Sequence, residues 1–284
     1  MSLATQRQHH YRAAASSIST GVLIGIVAVI ALAVLFVHLA NEVVENEFFQ
    51  FDRTVSLDVH STASPLQTDI VRILTNFGSP YLVVLAILSL IIGSIIVWRS
   101  QHHKRAGMMV AFLDVFAPTF ALGVAVLLAE VVKLIVSRPR PDGIFFPPIV
   151  TEPGPSFPSG HVLASVAFYG MSAYLLARPA RPWLKAVITL VALAIIGLIA
   201  YTRIYLGVHF PTDVLGSMLI GSAWLITLII ALQITENHLK GAHVLGQAEQ
   251  AQQQPAPESS LAPTIPTSAL STTTIADNTT PISD

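Results

Sequence analysis

The sequence places a cation, an imidazole and a carboxylate close together at residues 203–213, which read Arg-Ile-Tyr-Leu-Gly-Val-His-Phe-Pro-Thr-Asp. Pro211 and Asp213 are typical of the first turn of a helix, where proline is tolerated and a carboxylate lies at the positive end of the helix dipole. His209 would lie just outside that turn, where Asp213 can hold one imidazole nitrogen protonated and leave the other free to attack. Arg203 adds a planar guanidinium that suits phosphate oxygens. The stretch therefore predicts chemistry on a phosphate group.

Two earlier stretches carry groups that fit the same chemistry. Lys133 and Arg140 form a Lys-x6-Arg-Pro pattern, and a Pro-Ser-Gly-His sequence ends at His161. Lys133, Arg140 and Arg203 would together surround a phosphoryl group and offset the charge that develops on its oxygens. Ser159 and Gly160 at a helix start would offer a hydroxyl and backbone N–H groups to an anion. His161 is then placed to protonate a leaving oxygen, which leaves the histidine of the first stretch as the nucleophile of a phosphohistidine mechanism.

The elements that position these groups are predicted to be membrane helices. Of the 284 residues, 53% are hydrophobic and 11% are charged, and the mean hydropathy is +0.66. A soluble domain carries about 25% charged residues, so the composition predicts an all-α integral membrane protein. The chain has no cysteine, which excludes disulfides and thiolate metal sites. Its formal net charge of −1 argues against nucleic acid as a partner.

Six apolar runs are long enough to cross a bilayer as helices. The first follows a polar segment, 1–20, and exceeds the apolar core of a signal peptide, about 7–15 residues, so we expect it to be a retained span. Residues 41–80 are acidic and amphipathic, and they predict interfacial helices in the first outer loop, with Ser64 and Pro65 as a cap and first turn. The predicted spans are 21–40, 81–98, 115–136, 161–177, 183–201 and 214–234.

The predicted domain order is a cytoplasmic N-terminal segment (1–20), a six-helix membrane domain (21–235) and a cytoplasmic tail (236–284). The tail is rich in Gln, Pro, Ser and Thr and is predicted to be disordered. Six spans put both termini on one side of the membrane. The positive-inside rule makes that side the cytoplasm and places the motif-bearing loops on the outer face of the plasma membrane. The terminal side holds nine of the 15 lysines and arginines, namely Arg7, Arg12, Arg99, Lys104, Arg105, Arg178, Arg181, Lys185 and Lys240.

The sequence resembles the type-2 phosphatidic acid phosphatase superfamily, which includes lipid phosphate phosphatases. The resemblance rests on three motifs in the same order, namely Lys-x6-Arg-Pro, Pro-Ser-Gly-His and Arg-x5-His-x3-Asp. The resemblance covers about residues 60–235 and implies a six-helix membrane core with hydrolysis of phosphomonoesters or diphosphates that needs no metal or cofactor. The third motif often begins Ser-Arg in the family, and here Thr202 keeps the hydroxyl. By resemblance, the phosphate-binding residues are Lys133, Arg140, Ser159, Gly160 and Arg203, the general acid is His161, the nucleophile is His209 and its partner is Asp213.

These features predict a membrane phosphatase that acts on a lipid phosphate or diphosphate. Phosphatidic acid, phosphatidylglycerophosphate and undecaprenyl diphosphate are the candidate substrates that the resemblance implies, and the predicted partners are the lipid substrate and the bilayer. The same motifs would serve a phosphotransferase that passes the phosphoryl group to another acceptor. A transporter that uses the charges as an ion relay is the third alternative, which the position of these charges at span ends disfavours. The pattern leaves the oligomeric state open.

Three nearby features receive structural interpretations. Arg138 lies off the phosphate-binding spacing and is predicted to contact a headgroup or an acidic loop. Glu130 is predicted to pair with Lys133 one turn away on the same helix. Ser217 and Gly221 form a small-residue pair that is typical of helix–helix packing inside one chain.

Overall fold

The computed structural model describes residues 3–99 and 105–253, and every regular element in these two ranges is a helix. The basic loop at 100–104 and the residues beyond 253 lie outside the described part, as do the first two residues. The helices are α1 (Leu3–Val44), α2 (Phe49–Ser61), α3 (Pro65–Thr75), a 3₁₀ turn (Asn76–Gly78), α4 (Pro80–Arg99), α5 (Arg105–Val136), α6 (Gly160–Ala177), α7 (Pro182–Tyr205) and α8 (Pro211–Gln253).

The helices confirm the predicted multi-pass membrane fold. Five of them are long and apolar enough to cross a bilayer, at Thr20–Val44, Met109–Val136, Gly160–Ala177, Pro182–Tyr205 and Pro211–Leu239. Pro65–Gly78 and Tyr81–Ile95 pass the same test only as a pair with a bend of 42° between them, which gives six spans if the pair crosses as one. The predicted cap is present, because Ser64 accepts a hydrogen bond from Gln67 N–H and Pro65 opens α3. The helix predicted to be interfacial therefore forms the first half of this bent pair.

The central element is α6, which buries 44% of its span inside the protein, whereas α1 buries only 6%. Small side chains allow α5 to approach α6 closely, since they remove bulk from the contact face. Leu163, Ala167 and Met171 of α6 pack against this face. The alanines repeat at every fourth position of α5, at Ala117, Ala121, Ala125 and Ala129.

The small-residue pair on α8 packs against α6, as predicted. A Cβ atom on Gly221 would lie 3.1 Å from Val166 Cβ. Ser217 donates its hydroxyl to the backbone oxygens of Ser159 (2.9 Å) and Asp213 (2.8 Å). Close packing at these two positions fixes the start of α6 beside the start of α8, and both starts carry motif residues.

The loop between α5 and α6 folds over these helix starts. Phe146 stacks on His60 of α2, with ring centroids 3.8 Å apart, and Phe145 packs against Phe210 at 5.8 Å. Ile149 N–H donates to the Leu206 carbonyl at 3.1 Å. The loop is thus tied both to α2 and to the segment between α7 and α8.

The chain divides into two compact units, Met1–Gly241 and Ala242–Asp284, and all the spans belong to the first. The second unit contains the end of α8, which continues as a helix to Gln253. The domain boundary predicted at residue 235 lies within the range of α8 and stays a prediction. The remainder of the predicted tail, 254–284, lies outside the described residues and stays a prediction.

Candidate active site

The segment between α7 and α8 carries the histidine of the third motif. Gly207 adopts a φ of +73°, which allows the chain to turn sharply after α7. The first turn of α8 forms as predicted, with Pro211 at its start and Asp213 in the first turn. Asp213 Oδ2 accepts the Phe210 N–H at 2.9 Å. This bond satisfies a free donor at the helix start and fixes the carboxylate beside His209.

His209 is 2% exposed and lies between the carboxylate of Asp213 and the guanidinium of Arg140. Its Nδ1 lies 3.4 Å from Asp213 Oδ2, and its Nε2 lies 3.4 Å from Arg140 Nη1. Because a guanidinium has only donors, the nitrogen that faces Arg140 carries the lone pair and the nitrogen that faces Asp213 carries the proton. Burial lowers the pKa of His209, and the charges of Arg203 and Arg140 lower it further, against the opposing effect of Asp213. The imidazole is therefore neutral at pH 7, with Nε2 available.

Two arginines bracket the space in front of this nitrogen. Arg140 donates to the carbonyl oxygens of Val208 (2.9 Å) and Gly154 (2.9 Å), which fixes its guanidinium. Arg203 is 1% exposed and donates to Thr75 Oγ1 at 2.8 Å. Its Nε has no hydrogen-bond partner among the described residues. Buried donors without acceptors are costly, so an anion placed here would satisfy this group.

Glu152 bridges the two arginines, and the sequence analysis missed it. Its Oε2 lies 3.1 Å from Arg140 Nη1, and its Oε1 accepts a short hydrogen bond from Arg203 Nη2. Burial acts to raise the pKa of Glu152, but the charge and hydrogen bond of Arg203 outweigh it and lower the pKa to about 2. The carboxylate is therefore ionised and holds the cations that a phosphate group would need. No motif spacing marks this residue, since it lies alone in an irregular loop.

The first and second motifs complete the site. Lys133 pairs with Glu130 at 2.7 Å, which confirms the predicted contact. A Cβ on Gly160 would lie 3.8 Å from Lys133 Nζ, so the start of α6 faces the ammonium group. Ser159 is buried, and its Oγ has no hydrogen-bond partner in the described part of the chain.

A cavity of about 320 Å³ joins these groups. Lys133, Arg140, Gly160, His161 and His209 line it, and the remaining predicted residues, Ser159, Arg203 and Asp213, are buried directly behind. The opposite wall is apolar and comes from α4, α5 and α6. Its residues are Leu82, Val83, Leu122, Val126, Ala129 and Ala164. One end of the cavity is thus polar, with the cations Lys133 and Arg140 beside the acids Glu130 and Glu152, and the other end is apolar.

Arg138 has a larger structural role than the sequence analysis predicts. It does contact the acidic first loop, where Asp52 Oδ2 accepts its Nη2 at 2.7 Å. It also donates from Nη1 to Asp213 Oδ1 at 2.7 Å, and its guanidinium stacks 3.9 Å over the Phe210 ring. The predicted headgroup contact is wrong, because the side chain is buried. The contact between Arg138 and Asp213 could not be predicted from the sequence, because the two residues are 75 positions apart.

Among the described residues, no group of three or more His, Asp or Glu side chains is arranged to hold a metal ion. The anion-binding groups of the cavity are instead cations and helix-start N–H groups, which suit phosphate oxygens.

Comparisons with known proteins agree with this arrangement. Residues 114–237, which contain all three motifs, match the model of the PAP2 superfamily. The chain is 31% identical over 196 residues to phosphatidylglycerophosphatase B of Bacillus subtilis, covering 68% of this chain and 88% of that protein. It is 33% identical over 136 residues to an undecaprenyl-diphosphatase of Sulfolobus acidocaldarius, covering 44% of this chain and 62% of that protein.

A solved structure supports the same assignment. The crystal structure of a transmembrane PAP2 type phosphatidylglycerolphosphate phosphatase from Bacillus subtilis superposes with a TM-score of 0.60 at 28% identity, covering 70% of this chain and 93% of that one. The helical fold, the three motifs around one cavity and these matches lead to one conclusion. The chain belongs to the PAP2 superfamily and is a membrane phosphatase of that family.

Proposed function

We propose that the protein hydrolyses a lipid phosphate monoester or diphosphate on the outer face of the plasma membrane, through a phosphohistidine at His209 and without a metal ion. The observation that carries this proposal is the two-part cavity. Its polar end holds His161, His209 and the cations, and its apolar wall includes Val83 and Val126. Both valines are about half exposed (52% and 49%), and in this proposal their exposed side faces lipid. A substrate can keep its hydrocarbon chain in the bilayer while only its phosphate enters.

In the first step, His209 Nε2 attacks phosphorus and the bond from phosphorus to the leaving oxygen breaks. The negative charge of the bound phosphate offsets the cations around His161, so that its ring carries a proton in the complex. His161 gives this proton to the oxygen as it leaves, and the lipid departs as an alcohol or as a monophosphate. Asp213 stabilises the positive charge that the ring acquires, since Nδ1 keeps its proton. The phosphoryl oxygens bind Lys133, Arg140 and Arg203, together with the N-terminus of α6, and the cations offset their charge.

In the second step, water replaces the histidine. His161, now neutral, accepts a proton from the water that attacks phosphorus, and the bond between phosphorus and His209 Nε2 breaks. Inorganic phosphate leaves, and both histidines return to their starting protonation states. Glu152 must release Arg140 and Arg203 before phosphate can bind them, because its carboxylate contacts both.

The relatives named above indicate candidate substrates, namely phosphatidylglycerophosphate and undecaprenyl diphosphate. Phosphatidic acid shares their chemistry, a terminal phosphate on a long hydrocarbon. We propose that the substrates are lipids with a terminal phosphate. These lipids differ in the group next to the phosphate and in the length of the hydrocarbon chain.

The test is a hydrolysis panel with detergent-solubilised protein in EDTA. The panel contains the three lipids and glucose 6-phosphate as a soluble ester, and the assay measures released inorganic phosphate. We expect turnover of at least one lipid at a rate well above that of glucose 6-phosphate, and no turnover in His209→Ala. Loss of activity in EDTA would contradict the metal-free mechanism. Appearance of a phosphorylated acceptor in place of inorganic phosphate would indicate a phosphotransferase.

A further inference from the structure

The carboxylate that faces His209 is itself held by a second buried ion pair. Arg138 donates to Asp213 Oδ1 and to Asp52 Oδ2, each at 2.7 Å. Both carboxylates are 0% exposed and the arginine is 8% exposed. A chain of contacts therefore runs from α2 through the loop after α5 to the start of α8.

We propose that Asp52 and Arg138 are positioning residues, which hold Asp213 against His209 and set the charge around the nucleophile. This inference rests on the proposed function of His209. Neither residue lines the cavity, so their effect must pass through Asp213.

The geometry fixes the first turn of α8 in place. Thr212 N–H donates to Asp52 Oδ1 at 2.9 Å, and Thr212 Oγ1 donates to Asp52 Oδ2 at 2.7 Å. Arg138 Nη1 also donates to Thr212 Oγ1 at 2.8 Å. A helix start leaves backbone donors unsatisfied, and here a carboxylate from a distant helix accepts one of them. With Thr212 held from two directions, the neighbouring Asp213 keeps one orientation.

The charges also favour the proposed intermediate. Two carboxylates and one guanidinium give this cluster a net charge of −1 while His209 is neutral. When the ring carries a phosphoryl group on Nε2 and a proton on Nδ1, it becomes positive and the cluster becomes neutral. Without the charge of Asp52, the cluster would instead go from neutral to positive, which a buried site disfavours.

Asp52 is suited to this role because it is ionised. Burial raises its pKa, and the hydrogen bonds from Arg138 and Thr212 lower it only in part. Its two oxygens nevertheless accept three hydrogen bonds, from the Arg138 guanidinium, the Thr212 amide and the Thr212 hydroxyl. The guanidinium and the amide can only donate, so neither could accept a hydrogen bond from a protonated Asp52. The ionised form is therefore the one that the surrounding donors stabilise.

The experiment compares Asp52→Asn with Asp58→Asn, using the lipid that wild type turns over fastest. Asp58 lies on the exposed side of the same helix, so its change removes the same charge without touching the cluster. We expect kcat of Asp52→Asn to fall about 10- to 100-fold, as when outer-shell partners of an active group are removed. KM should stay within about threefold, since phosphate-binding groups are unchanged. Asp58→Asn should match wild type.

A pH profile separates positioning from general damage. The charged or titratable groups that face His209 are Asp213, Arg140, Arg203, Glu152 and His161, and all remain in Asp52→Asn. Loss of the Asp52 charge should destabilise the protonated ring, so the acidic limb of kcat moves to lower pH while the plateau falls. A merely less stable enzyme would keep the position of that limb.

Arg138→Lys is the second variant, for the case that Asp52→Asn is not recovered from membranes. Lysine keeps the positive charge, but a single ammonium cannot replace a fork that spans two carboxylates. We expect the same loss of kcat, and Asp52→Asn combined with Arg138→Lys should cost about as much as the worse single change. Wild-type kcat in both single variants, or losses that add, would overturn the inference. If wild type hydrolyses no lipid phosphate, the proposed function fails instead.

Discussion

His209 receives its reactivity from three separate parts of the chain. Asp213 orients the ring from α8, Arg140 faces the attacking nitrogen from the loop after α5, and Arg203 adds positive charge from α7. Asp213 and Arg203 lie within the same motif as His209, so their influence on the ring could be predicted from spacing alone. The contact with Arg140 could not, because only the folded loop brings Nε2 within 3.4 Å of it.

The pKa of His209 leads to a prediction about pH. Burial lowers this pKa below 6.5, and the attacking form is the neutral ring, so activity is present above the pKa and is lost below it. Because kcat/KM reports the pKa values of the free enzyme, we expect the acidic limb of the kcat/KM profile to have its midpoint below pH 6.5. Asp213 raises the pKa, so Asp213→Asn should move the limb to still lower pH. A midpoint above pH 6.5, or an acidic limb at the same pH in Asp213→Asn as in wild type, would contradict the assignment of His209 as the nucleophile.

Glu152 occupies the two arginines that we assign to phosphate, so it should compete with anions. In Glu152→Gln the carboxylate charge is gone and the guanidinium groups are free to bind phosphate. We expect inorganic phosphate to inhibit about tenfold more strongly, as a single charged contact can account for. Asp142→Asn, an exposed acid in the same loop, serves as the control and should leave inhibition unchanged. Equal or weaker inhibition in Glu152→Gln would mean that the carboxylate helps to form the anion site.

The elements that carry the motifs are largely predictable, and the contacts between them are not. The start of α8 follows from Pro211 and Asp213, and the start of α3 follows from Ser64 and Pro65, because helix caps are local signals. The role of α2 does not follow from any local signal. Asp52 and Thr212 are 160 residues apart, and only tertiary packing brings them together.

The 3₁₀ turn before α4 offers a test at the level of elements. A Cβ on Gly78 would lie 2.8 Å from Ile199 Cγ2 and 3.2 Å from His161 Cβ, so one of these groups must move in Gly78→Ala. We expect kcat to fall about tenfold, because a Cβ at 3.2 Å requires His161 to shift by a few tenths of an ångström and a full 1 Å can cost about 100-fold. Gly123→Ala on α5 is the matched control, since nothing lies within 4 Å of the added methyl group. Full activity in Gly78→Ala would show that the position of His161 tolerates this shift.

At the scale of the whole molecule, hydropathy predicts the spans and charge predicts their direction. The opposite end of the bundle from the cavity carries its own ion cluster, where Arg178 contacts Asp114 (2.9 Å) and Glu236 (2.6 Å) and so ties α5, α6 and α8 together. We propose that this end faces the cytoplasm, as the positive-inside rule indicates. Residues 77–80, Phe-Gly-Ser-Pro, indicate a break between α3 and α4, but the angle of the bend depends on packing.

The orientation can be mapped cleanly because the chain has no native cysteine. Single cysteines at Asp142 and Pro179 would report on the two ends of the bundle, and both positions are exposed. In intact cells a membrane-impermeant maleimide should label Asp142→Cys and spare Pro179→Cys until the membrane is broken. The reverse pattern would place the cavity on the cytoplasmic side.

The central claim is that His209 forms a covalent bond to phosphorus. The most direct measurement is rapid quenching of the solubilised enzyme with a lipid carrying radiolabelled terminal phosphate, in EDTA, followed by isolation of the protein. We expect label on the wild-type protein that survives alkali and is lost in acid, as an N–P bond would be, and no label on His209→Ala. Wild-type turnover without such label, or label that persists in His209→Ala, would contradict it.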